Sequence, residues 1–257
     1  MSDLKGKTAI VIGVSQANIG RAIAQHFMEL GADVIVAGRN EADVDRTGRE
    51  LGVLTRRCDI TLEEDLEDLT RFAIERYGHV DVAVNAVGAN LVRPFLEVTR
   101  AELDAVVKTQ FIGTFQFLQA MIRAMESSGG SIIQISSVTS QALLPDHAAY
   151  MASKAAGDML VRSAAFDFGH RNIRVNSLSP GATLDAPMAS EIMQDRTARE
   201  EICDMIPLGR IGTARDVADA AAWLAGDHCF MTGENLQING GIAIPALSAP
   251  PSGKMRT

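Results

Sequence analysis

Tyr150 and Lys154 stand four residues apart in "YMASK", a spacing that puts both side chains on one face of a helix. A free tyrosine, with a pKa of about 10, is a poor proton donor or acceptor near neutrality, and a neighbouring ammonium favours its phenolate. Lys154 is placed to supply that ammonium. A tyrosine and a lysine four apart also occur on helices that do no chemistry, so the pair gains weight only from its company. Ser137, in "QISSVTS" thirteen residues before Tyr150, provides it, because a short loop brings its hydroxyl to the carbonyl oxygen the tyrosine would serve.

A second stretch raises the question of a phosphate. "GVSQANIG", Gly13 to Gly20, lies between the apolar "TAIVI" and the helical "RAIAQHFMEL". A helix N-terminus after a strand offers free N–H groups and a positive dipole end to a pyrophosphate. Gly13, Ser15, Asn18, Ile19 and Gly20 are its candidate residues. The bland reading is a plain chain reversal, since the middle of the turn holds Ala17 or Asn18 where a dinucleotide turn has glycine. Two further turns fall where a nucleotide half needs them. In "CDIT", Asp59 is placed to accept a bond from adenine and Ile60 to cover its ring; in "VNAVG", Asn85, Ala86 and Gly88 bring backbone close to a cofactor. At the end of the second strand, "VAGRN" has Gly38 where an NAD site wants a carboxylate, followed by Arg39, whose guanidinium suits a 2′-phosphate. This favours NADP(H) over NAD(H), the alternative being an ordinary solvated arginine.

The elements that must position these groups alternate along the chain. Short Val/Ile-rich runs at 8–12, 33–37, 80–86, 131–136, 173–179 and 235–239 suit strands buried on both faces. Helix-period segments at 20–30, 41–51, 62–77, 99–126, 150–170 and 214–225 lie between them, with Thr61 and Thr99 as N-caps. The pattern predicts an α/β fold, a Rossmann-like, doubly wound parallel sheet of about seven strands with helices on both faces. Residues 1–244 are expected to form one domain. Residues 183–212 make a long excursion suited to covering a substrate, and 245–257 a Pro/Ser-rich flexible tail.

Composition narrows the classes. A net charge of −8 argues against a nucleic-acid-binding surface, and no apolar run approaches the roughly 20 residues that span a bilayer. The three cysteines, Cys58, Cys203 and Cys229, are scattered, lack metal-site spacing and suit a reducing cytoplasm. No metal is expected.

Taken in order, "CDIT", "VNAVG", Ser137 with "YMASK", "RVNSLSPGA" and "PLGRIGTARDVADAAAWLAGD…MTGENLQINGG" resemble the short-chain dehydrogenase/reductase family over residues 5–242. The resemblance implies that Tyr150 is the general acid/base, that Ser137 polarises the carbonyl, and that Lys154 tunes the tyrosine and holds the nicotinamide ribose. It also places Pro180, Gly181 and Thr183 against the nicotinamide, and Gln110 where the family has an Asn in a proton relay, with simple packing as the equal alternative for Gln110. The family's TGxxxGxG turn is one residue longer here and lacks its middle glycine, and NNAG becomes NAVG. The expected activity is hydride transfer between NADP(H) and a ketone or secondary alcohol, either a 3-oxoacyl thioester or a cyclic, steroid-like molecule. A regulatory or scaffold protein that kept the fold and lost turnover is the competing class. His147 is either a substrate contact or a surface-loop residue. Pairing of the 99–126 and 150–170 helices would give a homodimer or homotetramer.

Overall fold

The computed structural model describes residues 3–184 and 195–244. Its strands in chain order are β1 (Thr8–Ile12), β2 (Asp33–Gly38), β3 (Leu54–Arg57), β4 (Val82–Asn85), β5 (Gly130–Ile135), β6 (Ile173–Pro180), β7 (Thr183–Leu184), β8 (Gly212–Thr213) and β9 (Asn235–Ile238). Seven of them form one parallel sheet in the order β3-β2-β1-β4-β5-β6-β9, and β7 and β8 pair separately. The helices are α1 (Ile19–Glu29), α2 (Glu41–Leu51), α3 (Glu63–Tyr77), α4 (Arg100–Val106), α5 (Gly113–Met125), α6 (Ala148–Phe168), α7 (Arg196–Met205) and α8 (Ala214–Ala225).

The continuous apolar run of β1 is buried at every position because it is covered on both sides. Ala9 and Val11 pack with Ile23 and Phe27 of α1 and Val217 and Ala221 of α8, whereas Ile10 and Ile12 pack with Leu66 of α3, Phe117 of α5 and Val161 of α6. Strand order reverses between β1 and β4, so the crevice for a ligand opens beyond the carboxyl ends of those strands. All the turns singled out above lie at that end.

Two local expectations change. Thr61 does not cap α3: Leu62 holds the N-cap position without a side-chain bond, because the Thr61 hydroxyl is bonded to Asp59. Thr99 does cap α4, in a reciprocal capping box with Glu102, a device worth about 1 kcal/mol. The helix expected over 99–126 is interrupted, since residues Val107–Ile112 are wound as a π-helix between α4 and α5. Gly113 follows it, and a side-chain carbon there would lie 3.0 Å from Ile60 Cγ2, so α5 rests directly on the turn after β3. Of the excursion, β7, α7 and β8 are described, and residues 185–194 and the tail 245–257 lie outside the described residues.

Candidate active site

The site is built where β4, β5 and β6 end and α6 begins. Tyr150 and Lys154 occupy the first two turns of α6 and are both buried, at 6% exposure each. Lys154 Nζ donates to the Ile135 carbonyl at 3.0 Å and lies 5.7 Å from the centre of the Tyr150 ring. A side-chain carbon at Gly88 would sit 3.4 Å from that same nitrogen, so the β4 turn and the lysine are neighbours. Ser137 follows β5. Its Oγ accepts bonds from the Thr139 N–H and hydroxyl, which leaves its own proton free for the Tyr150 hydroxyl, its hydrogen-bond partner. The backbone of the serine turn is pinned in turn, because Ser179 of β6 donates its hydroxyl to the Ser137 carbonyl at 3.1 Å.

The electrostatics follow from burial. Burial pushes the Tyr150 hydroxyl above its ordinary pKa, and Ser137 pulls in the opposite direction. Burial also drives Lys154 down to about 8, partly opposed by the charge of Asp158. The tuning of Tyr150 by Lys154 expected from their spacing is not carried by direct contact with the hydroxyl, since the ammonium is turned to Ile135. The pair therefore holds a neutral phenol beside a cation whose charge is close to being lost at physiological pH.

The altered glycine turn keeps its shape through a side chain. Gly13 takes a positive φ of 81°, and a Cβ there would collide with the Val87 nitrogen at 2.5 Å and the Ala86 carbonyl carbon at 2.6 Å. The turns after β1 and β4 thus touch through bare backbone. Asn18 caps α1: its Oδ1 accepts from the Arg21 and Ser15 N–H groups and its Nδ2 donates to the Gly13 carbonyl at 2.7 Å. An amide brace replaces the missing glycine. Ile19 opens the helix, and Gly20 packs against Gly13 and Ala86. A nucleotide pyrophosphate fits this arrangement, because a helix N-terminus faces a cradle that side chains at Gly13 or Gly20 would fill.

Around that crevice, Asp59 accepts from the N–H and hydroxyl of Thr61 at 3.0 and 2.9 Å. Burial opposes its charge, but those bonds together with Arg39 and Arg57 outweigh it and hold the carboxyl below its ordinary pKa. Ile60 is buried beneath Gly113. Arg39 is exposed and forms no ion pair among the described residues, and Gly38 is buried against Val44 and Val14. Asn85 is fully buried, and its side chain serves structure: Nδ2 donates to Gln134 at 2.9 Å and Oδ1 accepts from the Val87 N–H. Pro180 ends β6, and the Thr183 hydroxyl donates to the Gly181 carbonyl at 3.0 Å. Gln110 lies in the π-helical segment, donates from Nε2 to the Ala89 carbonyl at 2.9 Å, and buries Oε1 without a partner among the described residues.

His147 belongs to the loop before α6 and is held at both ring nitrogens. It is half-buried, edge-on to the Tyr150 ring at 6.4 Å, with Nδ1 on the Pro145 carbonyl at 2.6 Å and Nε2 facing the Asn90 amide at 3.3 Å. A carbonyl needs a donor and the amide NH2 supplies one, so the neutral Nδ1–H tautomer satisfies both contacts. Asn90 was not singled out in the sequence, and neither was Asp158, although its place four residues after Lys154 on the same helical face was the available signal.

A doubly wound sheet with a nucleotide cradle and a Ser–Tyr–Lys grouping at its carboxyl end, its tyrosine and lysine buried, defines a dinucleotide-dependent oxidoreductase class. Comparisons with known proteins agree. The family model described as "Enoyl-(Acyl carrier protein) reductase" matches residues 13–243. The chain is 34% identical over 245 residues to the 7alpha-hydroxysteroid dehydrogenase of Escherichia coli (strain K12), covering 93% of this chain and 94% of that one. It is 37% identical over 254 residues to the 2,5-dichloro-2,5-cyclohexadiene-1,4-diol dehydrogenase of Sphingobium indicum, covering 94% and 98%. A short-chain type dehydrogenase/reductase from Mycobacterium ulcerans superposes with a TM-score of 0.91 at 25% identity, over 98% of this chain and 95% of that structure. The chain belongs to the short-chain dehydrogenase/reductase family. It is accordingly an oxidoreductase acting on CH–OH or C=O groups of small molecules with a nicotinamide cofactor. No described helix is long and apolar enough to cross a membrane.

Proposed function

We propose that the protein interconverts a ketone and a secondary alcohol on a cyclic, largely apolar molecule and prefers NADP(H) to NAD(H). The observation that carries the activity is the buried pair of Tyr150 and Lys154 beside the β4 turn, with the half-buried Ser137 hydrogen-bonded to the Tyr150 hydroxyl. In this reading the Tyr150 hydroxyl gives a proton to, or takes it from, the substrate oxygen, while Ser137 donates to that oxygen and keeps it in place. Lys154 contributes its charge and a donor to the nicotinamide ribose. A bound nicotinamide cofactor supplies or accepts the hydride. Gly13, Ser15, Asn18, Ile19 and Gly20 would hold its pyrophosphate, Asp59 and Ile60 its adenine, the backbone at Asn85, Ala86 and Gly88 its ribose side, and Pro180, Gly181 and Thr183 its carboxamide. Gln110 would steady Ala89, next to Gly88.

The choice of an apolar cyclic substrate over an acyl thioester rests on the mouth of the crevice. Val92, Phe95 and Leu96 on one side and Leu143 and Leu144 on the other are exposed, and the two loops are joined by the Asn90–His147 contact and by the Arg93 N–H donating to the Asp146 carbonyl at 2.7 Å. Arg93, on the first of these loops, is paired with Glu102, so its charge is not free for an acidic carrier. The names of the steroid and cyclohexadienediol relatives point the same way. Residues 1–244 act as one domain in this reading. The exposed Phe111, Ile112 and Phe115 beside α5 and Met159 and Phe166 on α6 support a homodimer or homotetramer, and the dispersed free cysteines a cytoplasmic setting.

Cofactor preference is tested by steady-state kcat/KM for NADPH and NADH with a panel of cyclic ketones, followed by absorbance. Arg39→Ala should lower the value for NADPH about tenfold to thirtyfold and leave NADH within about threefold, the loss expected for one exposed charge-assisted phosphate contact. A wild-type preference for NADH would overturn the NADP(H) assignment. The reciprocal change is constrained by packing, because a Cβ at Gly38 would lie 3.0 Å from Val44 Cγ2 and 3.1 Å from the Val14 carbonyl oxygen. Gly38→Asp is best paired with Val44→Ala.

A further inference from the structure

Asn235, Gln237 and Asn239 occupy alternate positions along and just beyond the edge strand β9, so their side chains leave one face of it. Their amides are linked head to tail. The Gly241 N–H donates to Asn239 Oδ1 at 2.9 Å, Asn239 Nδ2 to Gln237 Oε1 at 2.8 Å, Gln237 Nε2 to Asn235 Oδ1 at 2.9 Å, and Asn235 Nδ2 to Asp158 Oδ2 at 2.5 Å. A backbone N–H can only donate and an ionised carboxylate can only accept, so both ends dictate the same orientation for all three amides. The chain therefore ends in a donor aimed at the Asp158 carboxylate and fixes where that group sits. Asn235 Nδ2 also reaches Ser140 Oγ, at the end of the turn that begins at Ser137. The far end is equally well anchored: a side chain at Gly240 would strike Ile206, and the Leu208 N–H donates to the Gly240 carbonyl.

Asp158 lies one helical turn beyond Lys154 on α6. Its Oδ1 is buried and receives no hydrogen bond among the described residues, and no ion pair of contact distance joins it to the lysine. Among the described residues, the charge that acts on Lys154 is that of Asp158, on the same helix, and the Tyr150 ring lies 5.7 Å from its Nζ. β5 offers it the Ile135 carbonyl and the β4 turn the Gly88 backbone.

We propose that Asp158 is a positioning residue for the active-site lysine: the amide chain of β9 holds its carboxylate in place, and the negative charge of that carboxylate favours the protonated form of the buried Lys154 side chain from one helical turn away. Tyr150 is two turns away, so the lysine feels the carboxylate more strongly than the tyrosine does. The direction agrees with the opposing effects of burial and Asp158 on Lys154. The inference rests on the reading of Lys154 as an active-site group, but its test needs neither substrate nor nucleotide.

Lys154 is one of five lysines, with Lys5, Lys7, Lys108 and Lys254, so protein labelled with carbon-13 in lysine gives a spectrum simple enough to follow one side chain by NMR. Its signal is assigned by its absence from Lys154→Arg. In the wild type the Lys154 midpoint should fall near 8. Asp158→Asn, which keeps the shape and an acceptor for Asn235, should lower it by about one pH unit, the size expected of a unit charge at that range. Asp158→Ser should do the same, and provides the neutral variant if Asn disturbs folding. Asp158→Glu, which restores the charge, should return the midpoint close to the wild-type value. A midpoint that stays put in a folded neutral variant overturns the proposal. Loss of the catalytic reading would instead show as turnover surviving Tyr150→Phe, with the lysine titration unaffected.

Discussion

Lys154→Met removes a buried charge while keeping the length of the side chain. An ammonium whose pKa drops from 10.5 to about 8 on folding costs the fold roughly 3 kcal/mol at neutral pH. Against this, methionine leaves the Ile135 carbonyl without the donor now 3.0 Å away, at about 1 to 2 kcal/mol. Asp158 keeps its Asn235 donor, so the substitution does not strand it. The variant should be inactive yet more stable at pH 7 by about 1 to 2 kcal/mol, a Tm gain of about 4 °C for a chain of this size. The gain must depend on pH. Below pH 8 the folded and unfolded wild-type chains both carry the proton, and the fold bears the whole desolvation penalty. Between pH 8 and about 10.4 the unfolded chain still binds a proton that the folded chain has released, so raising the pH stabilises the wild type and the difference from Lys154→Met closes. Thermal melts of both proteins at pH 7, 8.5 and 10 test this. A Tm difference that is flat over the range, or a variant less stable at pH 7, would refute the picture of a lysine buried with a depressed pKa.

Tyr150→Phe deletes only the hydroxyl that carries the proton, and should cut kcat by at least about a hundredfold while leaving the Kd for NADPH within about threefold; near-normal turnover would exclude Tyr150 as the proton carrier. Gln110→Ala loses the bond to the Ala89 carbonyl but also removes an unpartnered buried oxygen, so the two effects on stability oppose each other. A Tm within about 2 °C of wild type, with kcat lowered several-fold, is expected from Gln110 acting on the loop next to Gly88. A large fall in Tm at unchanged kcat would mark it as packing.

Much of the fold was readable because parallel strands buried on both faces leave continuous Val/Ile runs, as in "TAIVI" and "DVIVA". The spacing of Tyr150 and Lys154 carried the central pair of the site for the same kind of reason: a helix converts a separation of four directly into a shared face. What escaped depends on contacts between distant segments. Thr61 has the chemistry of an N-cap, but Asp59 competes for its hydroxyl. The π-helical winding at Val107–Ile112 adds no distinctive residue, and shows itself only in how Gln110 and Gly113 meet Ala89 and Ile60. The amide brace of Asn18 and the ladder of β9 are likewise invisible in one dimension, because Asn and Gln are as common in solvated loops as in networks.

The two-residue pairing of β7 with β8 makes a clasp at the foot of the excursion, reinforced by the Gly212 N–H donating to the Ala182 carbonyl at 3.1 Å. Once the ends of a loop are tied, doubling its length adds only about 0.6 kcal/mol of closure entropy. The span between Leu184 and Gly212 is therefore tied at both ends. Ile206 and Leu208, inside that span, also hold Gly240, so the clasp ties the excursion to the end of β9 as well as to β6 and α8.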